Sequence, residues 1–108
     1  MKYIKIFFLV VLIFILIACG GGHSGSSDGI VLYTKKCAMC HGINAEKKAI
    51  GKSDVIVSWD AAKIEEALNG YKVGSRNVHG MGHMHSSHLS TFSAEDIKAV
   101  SDYIDSLK

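Results

Sequence analysis

The chain contains no proline and only three cysteines, and nowhere do apolar and polar residues alternate over a stretch long enough for a β-strand. A half-buried strand needs that alternation, so its absence argues against a sheet. With 108 residues and no proline, the chain can form one small domain at most. Apolar residues that recur at helical spacing instead predict an all-α fold.

The apolar stretch near the N-terminus is too short for a permanent membrane span. Lys2 and Lys5 precede an apolar run over residues 6–18, whereas a helix that crosses a bilayer needs roughly 20 residues. This pattern predicts that residues 1–18 are a cleaved signal peptide and that the chain is exported. The run ends in LIAC, residues 16–19, which resembles the lipobox of bacterial lipoproteins. That resemblance implies lipidation of Cys19, followed by a Gly/Ser tether over residues 19–28.

Two alternatives for this segment stay open, an ordinary signal peptide and an uncleaved anchor, each with an incidental cysteine.

A net charge of one sign is also missing from the predicted mature chain. Of the 12 basic residues, Lys2 and Lys5 belong to the leader, which leaves 10 basic against 10 acidic residues and a formal net charge of zero instead of +2. Binding to nucleic acid therefore has no electrostatic support. The remaining basic residues do favour one region, which would suit an acidic partner protein. They are Lys35, Lys36, Lys47, Lys48, Lys52, Lys72 and Arg76.

Three helical segments carry the fold prediction. The first runs from residue 28 or 29 to 36, and the second begins at Asp60 as N-cap and is expected to stop at Asn69-Gly70. The third begins at Ser93, a cap with an acidic residue three positions later, and runs to the end of the chain. Its apolar residues share one face, namely Ile97, Val100, Ile104 and Leu107.

Two long connections rich in glycine separate these helices, at residues 42–59 and 71–92. Loops of this length are uncommon in a compact domain. At roughly 80 residues, the mature domain has a marginal core if only side chains fill it. We therefore expect the loops to pack around an internal partner other than protein.

The segment KKCAMCHG, residues 35–42, places Cys37, Cys40 and His41 within five residues. Two cysteines at this spacing occur in redox dithiols, zinc sites, iron–sulfur ligand pairs and covalent haem attachment sites. No strands are predicted around a dithiol, an iron–sulfur cluster would need four ligands, and zinc has no use for a histidine directly after the second cysteine. Cys-x-x-Cys-His is the pattern of haem attachment, which favours that chemistry.

A haem bound in this way needs a second axial ligand, and the candidates lie in VHGMGHMHSSH, residues 78–88. A methionine thioether raises the reduction potential of a haem, whereas a second histidine lowers it. Alternatively, Met81 and Met84 fill gaps in the core and the histidines form a solvated loop or an adventitious copper or nickel site.

Residues 29–108 resemble a class I monohaem cytochrome c of the small bacterial, c-553-like type. The motifs that carry the resemblance are Gly29-x-x-x-Tyr33-x-x-x-Cys37, CAMCHG at 37–42, LNGYK at 68–72, RNVHGMG at 76–82, and a closing helix with Val100, Tyr103 and Ile104. The resemblance implies three main helices and long loops around one covalently bound haem c. The first and last helices would cross near Gly29.

The same resemblance implies the residues that bind the cofactor. Cys37 and Cys40 would form thioethers, and His41 would bind the iron. A backbone carbonyl near Ile50 or Gly51 would replace that of the family's usual proline as acceptor for the His41 ring. Other candidate contacts come from the residues themselves. Trp59 either packs on the haem and donates to a propionate or belongs to the core at the start of a helix. Tyr71 lies in LNGYK, and Arg76 and Asn77 either contact the propionates or brace the loop, with a solvated Arg76 as the alternative.

Which residue is predicted as the distal ligand depends on the direction in which residues are counted from the family's motifs. Forward from LNGYK, the family's methionine ligand falls on Met84; backward from the Ser93 cap, it falls on His85. We expect Met84, since His/Met ligation is usual in the family, with His85 and then Met81 as alternatives.

The resemblance implies a monomeric single-electron carrier and not an enzyme. Its partners would be a membrane-bound dehydrogenase, oxidase or reductase, reached from a lipid anchor on the periplasmic side of a bacterial membrane. Two other functions stay open: a haem-based ligand sensor or peroxidase-like protein with a weak distal ligand, and a periplasmic copper or zinc binder that uses residues 79–88.

Overall fold

The structure is a computed structural model that describes Tyr3 and residues 28–108. Three predicted features lie outside the described residues: the signal peptide apart from Tyr3, the lipidation site at Cys19, and the tether as far as residue 27. Five α-helices are present among those described: α1 Gly29–Lys36, α2 Ala38–His41, α3 Ala61–Lys72, α4 Gly82–Leu89 and α5 Ala94–Asp105. Three 3-10 turns, Ala49–Gly51, Ile56–Ser58 and Val78–Gly80, lie in the connections. With no strand in these residues, the all-α prediction is confirmed.

The first and last helices pack directly against each other. Asp28 caps α1 by accepting a hydrogen bond from the Ile30 N–H at 3.1 Å. At Gly29, a Cβ atom would collide with the backbone carbonyl of Ala99 in α5, so only glycine permits this approach. Beside this contact, the rings of Tyr33 and Tyr103 lie 5.6 Å apart at an angle of 54°. The predicted crossing of the first and last helices at Gly29 is thus present.

Helix α5 forms the centre of the core. Ser93 and Asp96 form the predicted capping box, with the Asp96 N–H donating to the Ser93 hydroxyl at 3.1 Å and the Ser93 N–H donating to the Asp96 carboxylate at 2.9 Å. Ile97, Val100 and Ile104 are buried on the face that packs against α1 and α3. The apolar period of the sequence therefore corresponds to the buried face as far as Ile104. The helix ends at Asp105, so the prediction that it runs to the end of the chain is wrong, and Leu107 beyond it is only partly buried.

Helix α3 begins as predicted but ends later. Asp60 accepts a hydrogen bond from the Lys63 N–H at 2.8 Å, whereas the predicted stop at Asn69-Gly70 is wrong because the helix continues to Lys72. Glycine suits position 70 inside the helix, since the chain returns so closely that a Cβ there would make a tight contact, 3.1 Å, with the Cβ of Arg76. The left-handed residue that follows the helix is Gly74, with φ +81°.

The segment predicted as one long loop over residues 71–92 contains helix α4, so the prediction is wrong over Gly82–Leu89. Leu89 is the only large apolar residue of α4 that is buried. Met84, His85 and His88 line a cavity, the first two half-buried and His88 exposed. Helix α4 thus lacks the apolar stripe by which an amphipathic helix is found in a sequence.

Among the helices that the structure describes, none has the length and apolar character needed to cross a membrane.

Candidate functional site

A cavity of about 190 Å³ lies between α2, α3, α4 and α5. Its walls are largely apolar and include the core residues Ile64, Leu68, Leu89, Phe92, Val100 and Ile104. Cavities lined by such side chains bind apolar groups. The loops predicted to need an internal partner contribute to this wall from both connections, at Ile50 and at Val78.

The turn α2 brings all three residues of the cysteine–histidine motif to the cavity. The N–H groups of Cys40 and His41 both donate to the Cys37 carbonyl, at 3.2 and 3.0 Å, and the three side chains line the same space. Cys37 and Cys40 are free thiols and form no disulfide. One helical turn therefore presents two thiols and an imidazole to a single occupant.

Burial sets the protonation of these groups. It raises the pKa of the Cys37 thiol to about 11, with a smaller contribution from Cys40, and so keeps the sulfur protonated at neutral pH in the absence of a cofactor. Burial, helped by the positive charge that His85 can carry, lowers the pKa of His41. The His41 ring is therefore neutral at pH 7, and a neutral imidazole is the form that binds a metal.

A buried hydrogen bond from α1 fixes the end of the motif. The hydroxyl of Tyr33, which is fully buried, donates to the Gly42 carbonyl at 2.6 Å. Burial raises the pKa of Tyr33 above its usual range, so the hydroxyl keeps its proton and remains a donor. Gly42 has φ +86°, a conformation that glycine adopts at little cost. Tyr33 thus ties the chain just after His41 to the core.

We predict that Tyr33→Phe destabilises the protein by about 0.5–1.5 kcal/mol, because the buried Gly42 carbonyl loses the Tyr33 hydroxyl and keeps only the Ala45 N–H, at 3.2 Å, as a donor. Thermal unfolding followed by far-UV circular dichroism measures the change. Tyr103→Phe is the matched control, since Tyr103 is only partly buried and packs beside Tyr33. Equal losses in the two variants would mean that the hydrogen bond to Gly42 has no special role.

The predicted acceptor for the His41 ring is not found. Nδ1 of His41 is buried and has no hydrogen-bond partner among the described residues. In the turn Ala49–Gly51, the Ala49 carbonyl accepts from the N–H groups of Lys52 and Ser53, at 3.0 and 3.2 Å. The predicted hydrogen bond from the His41 ring to a carbonyl near Ile50 or Gly51 is therefore not present among the described residues.

The opposite wall of the cavity is the face of α4 and the residue before it. Met81, Met84, His85 and His88 follow one another at intervals of three, one and three residues, and all four line the cavity. The three residues that the sequence offered as distal ligand are thus together on one wall. The His85 ring stacks on that of Tyr71 with centroids 4.2 Å apart and 14° between planes. Its centroid lies 6.4 Å from that of His41.

Of the predicted cofactor contacts, Trp59, Tyr71 and Arg76 also line the cavity. The Nε atom of Arg76 is buried without a hydrogen-bond partner in the described residues, although its guanidinium lies 5.3 Å from the Tyr71 ring centroid. A guanidinium with an unpaired, buried N–H group is stabilised by a carboxylate. Asn77 is not among the lining residues, and its side chain accepts a hydrogen bond from the Gly82 N–H at 2.8 Å. Asn77 therefore braces the start of α4, which was its other predicted role.

The sequence interpretation missed His88 as a site residue. It lines the cavity, and its ring Nδ1 lies 3.2 Å from the Lys36 carbonyl, joining α4 to the end of α1. The spacing of Met81, Met84, His85 and His88, which places all four on one helical face, was the signal that could have identified it.

These contacts together define what fits the cavity. The occupant must be apolar over most of its surface, react with two thiols, offer a metal to an imidazole and carry a negative group for Arg76. A haem with its propionates has all four properties.

The comparison with protein families agrees, because residues 26–108 match the family model described as cytochrome c. The chain belongs to the cytochrome c family. This cytochrome therefore uses covalently bound haem c, and it carries electrons and is not an enzyme.

Individual relatives support the assignment. The chain is 42% identical over 74 residues to a cytochrome c-553 of Helicobacter pylori (strain ATCC 700392 / 26695), which covers 68% of this chain and 73% of that protein. It is 31% identical over 91 residues to a cytochrome c-553 of Nitratidesulfovibrio vulgaris (strain DSM 19637 / Miyazaki F), which covers 84% of this chain and 87% of that protein. No solved structure gave a significant match.

The histidine-rich segment gives little support to the copper or zinc alternative. Within the part of the chain that the structure describes, no three His, Cys, Asp or Glu side chains come together as a metal-binding group. His85 and His88 instead face the cavity of the cytochrome.

Proposed function

We propose that this cytochrome is a lipid-anchored, monomeric carrier of single electrons between respiratory components, at the outer face of the cytoplasmic membrane or in the periplasm. The observation that best supports it is the placement of Cys37, Cys40 and His41 on one turn at an apolar cavity, opposite the possible ligands of α4.

The roles of the site residues follow from this placement. Cys37 and Cys40 would hold the haem through thioethers, and His41 would bind its iron. Arg76 would pair with a propionate, while Trp59 and Tyr71 would pack at the cofactor. The distal ligand would come from α4, where Met84 remains the prediction of the sequence and the contacts of His85 are considered below.

The protein chain itself would catalyse no reaction. It would hold the haem in an environment in which electron exchange is fast. When bound, haem iron supplies a one-electron couple. The apolar wall excludes water and so limits the change in solvation between the two oxidation states. Side chains held at both faces of the iron would leave no site for a substrate.

Docking of redox partners would occur where the cavity meets the surface. Lys36 and Lys52 line the cavity, and the predicted basic group surrounds them in sequence. Nearby, Met39 and Ile43 expose 96% and 68% of their surface, large values for apolar residues. A basic surface with an apolar centre suits brief contact with an acidic face of a dehydrogenase, oxidase or reductase.

The choice between a carrier and a ligand sensor can be tested with carbon monoxide. We expect the visible spectrum of the reduced protein at neutral pH to stay unchanged under carbon monoxide, because a carrier has both axial positions filled by protein. Rapid formation of a carbon monoxide complex would favour the sensor or peroxidase-like alternative.

The anchor is tested on the protein purified from membranes with detergent. Mass spectrometry of the N-terminal peptide should find that the chain begins at Cys19 and carries acyl chains. When residues 1–19 are replaced by a conventional cleavable leader, the haem-bearing protein should move to the soluble fraction. Attached haem in both forms is the control for export. A mature chain with an unmodified Cys19 would contradict the lipid anchor and leave the electron-carrier proposal standing.

A further inference from the structure

We infer that His85, and not Met84, binds the haem iron opposite His41, so that this cytochrome has two histidine ligands. The inference rests on the proposed haem-carrier function and deepens it. It is carried by two imidazoles that face one cavity from different helices, at a separation that a single metal ion can bridge.

The distance between the rings is the first argument. The centroids of His41 and His85 are 6.4 Å apart. Two imidazoles bound through one nitrogen each, at metal–nitrogen distances of about 2.0 Å, have ring centroids about 6 Å apart. His41 approaches from α2 and His85 from α4, and both line the cavity. The 51° angle between the rings is no obstacle, since each can rotate about its own metal–nitrogen bond.

The second argument is that His85 is already oriented as a ligand. Its Nδ1–H donates to the Met81 carbonyl at 2.8 Å. A ring nitrogen that donates to a carbonyl carries the proton, so the lone pair lies on Nε2, the arrangement typical of metal-binding histidines. On its face, the ring stacks on Tyr71, which is buried in α3.

Met84 has no comparable means of orientation. It lines the cavity, but its unbranched side chain has three rotatable bonds and no hydrogen-bonding group to fix the sulfur. A ligand side chain that must be ordered on binding contributes less to the free energy of binding the iron than one that is held in place beforehand.

The backbone also explains why the two directions of counting disagree by one residue. From His85 to Ser93 the chain is regular, because α4 is followed by a tight connection in which the Phe92 N–H donates to the Leu89 carbonyl at 3.0 Å. The stretch between α3 and α4 is irregular, with positive φ at Gly74, His79 and Gly80. An extra residue is absorbed most easily in that irregular stretch, which favours the backward count to His85.

The first test needs no variant. The oxidised wild-type protein should lack the weak far-red band of ferric His/Met ligation and should give the low-spin electron paramagnetic resonance spectrum of two imidazole ligands. Presence of the far-red band would overturn the inference. Absence of covalent haem would instead overturn the proposed function itself, so the two failures are distinct.

Variants then assign the ligand. Met84→Leu should keep the spectral features of two imidazole ligands, as should Met81→Leu, although both residues line the cavity. His85→Met should create the far-red band and shift the potential upward, because a thioether favours the ferrous state. His85→Ala should open a coordination position and allow the reduced protein to bind carbon monoxide. Loss of the native spectrum in Met84→Leu, or an unchanged spectrum in both His85 variants, would contradict the inference.

Discussion

The double variant Cys37→Ser, Cys40→Ser is expected to retain no haem after denaturation and to remain largely unfolded. The two sulfurs are the only covalent attachment points that α2 offers, and both line the cavity. Serine hydroxyls cannot form thioethers. The loss therefore removes the permanent occupant of a cavity that the core residues surround.

The size of the cavity decides how severe this loss is. At about 24 cal/mol per Å³ of unfilled volume, an enclosed cavity of 190 Å³ would cost on the order of 5 kcal/mol, and this value is an upper limit here because the cavity opens to the surface. Domains are stable by only about 5–15 kcal/mol, and small ones lie at the lower end. At this limit, the cost of the unfilled cavity is comparable to the entire free energy of unfolding of a small domain.

Haem staining on a denaturing gel and far-UV circular dichroism measure the two effects, in a host that attaches haem to exported chains. The single variants Cys37→Ser and Cys40→Ser are the controls. Each keeps one thioether and should retain haem and helix. If the double variant folds fully and still exchanges electrons, covalent haem is not what completes this core.

Ile97→Ala is expected to produce the second large effect, a loss of about 2–5 kcal/mol in the free energy of unfolding. Ile97 is 1% exposed and lies in the core cluster where α5 packs against α1 and α3. It does not line the cavity. The visible spectrum of the folded protein should therefore stay the same while the midpoint of thermal unfolding falls by at least about 10 °C.

The matched control is Ile30→Ala, the same substitution at a residue of α1 that is 56% exposed. Its effect should stay within about 1 kcal/mol. A comparable loss in both variants would mean that α5 is not the centre of the core. A changed haem spectrum in Ile97→Ala would mean that this residue acts on the site.

The three helices found from the sequence share a property that sequence reasoning can detect. Asp60 and Ser93 cap their helices with local hydrogen bonds, and the apolar period of α5 is its packing face. At these positions the local hydrogen bonds and the burial favour the same helix, so the sequence pattern was enough to predict it.

The errors lie where the cavity or a close approach overrides local preference. Glycine ends many helices, yet Gly70 lies inside α3, where its lack of a side chain leaves room for Arg76. Helix α4 presents Met84 and His85 to a cavity and so shows no apolar stripe. Such features depend on what packs opposite, which a linear pattern does not contain.

The candidate site likewise has one part that the sequence predicts and one part that it does not. Cys37, Cys40 and His41 are readable because one turn of five residues contains the whole attachment chemistry. The distal wall depends on how α4 lies against α3, through contacts such as Tyr71 with His85. Counting along the sequence gave Met84 or His85, and only the arrangement in space provides a physical reason to choose.

A potentiometric titration of the purified protein, followed by its visible absorbance, tests the account most directly. We predict one reversible transition of a covalently bound haem, with a one-electron slope of about 59 mV per tenfold change in the ratio of oxidised to reduced protein. A protein without haem absorbance, or one whose absorbance does not follow the applied potential reversibly, would contradict the account.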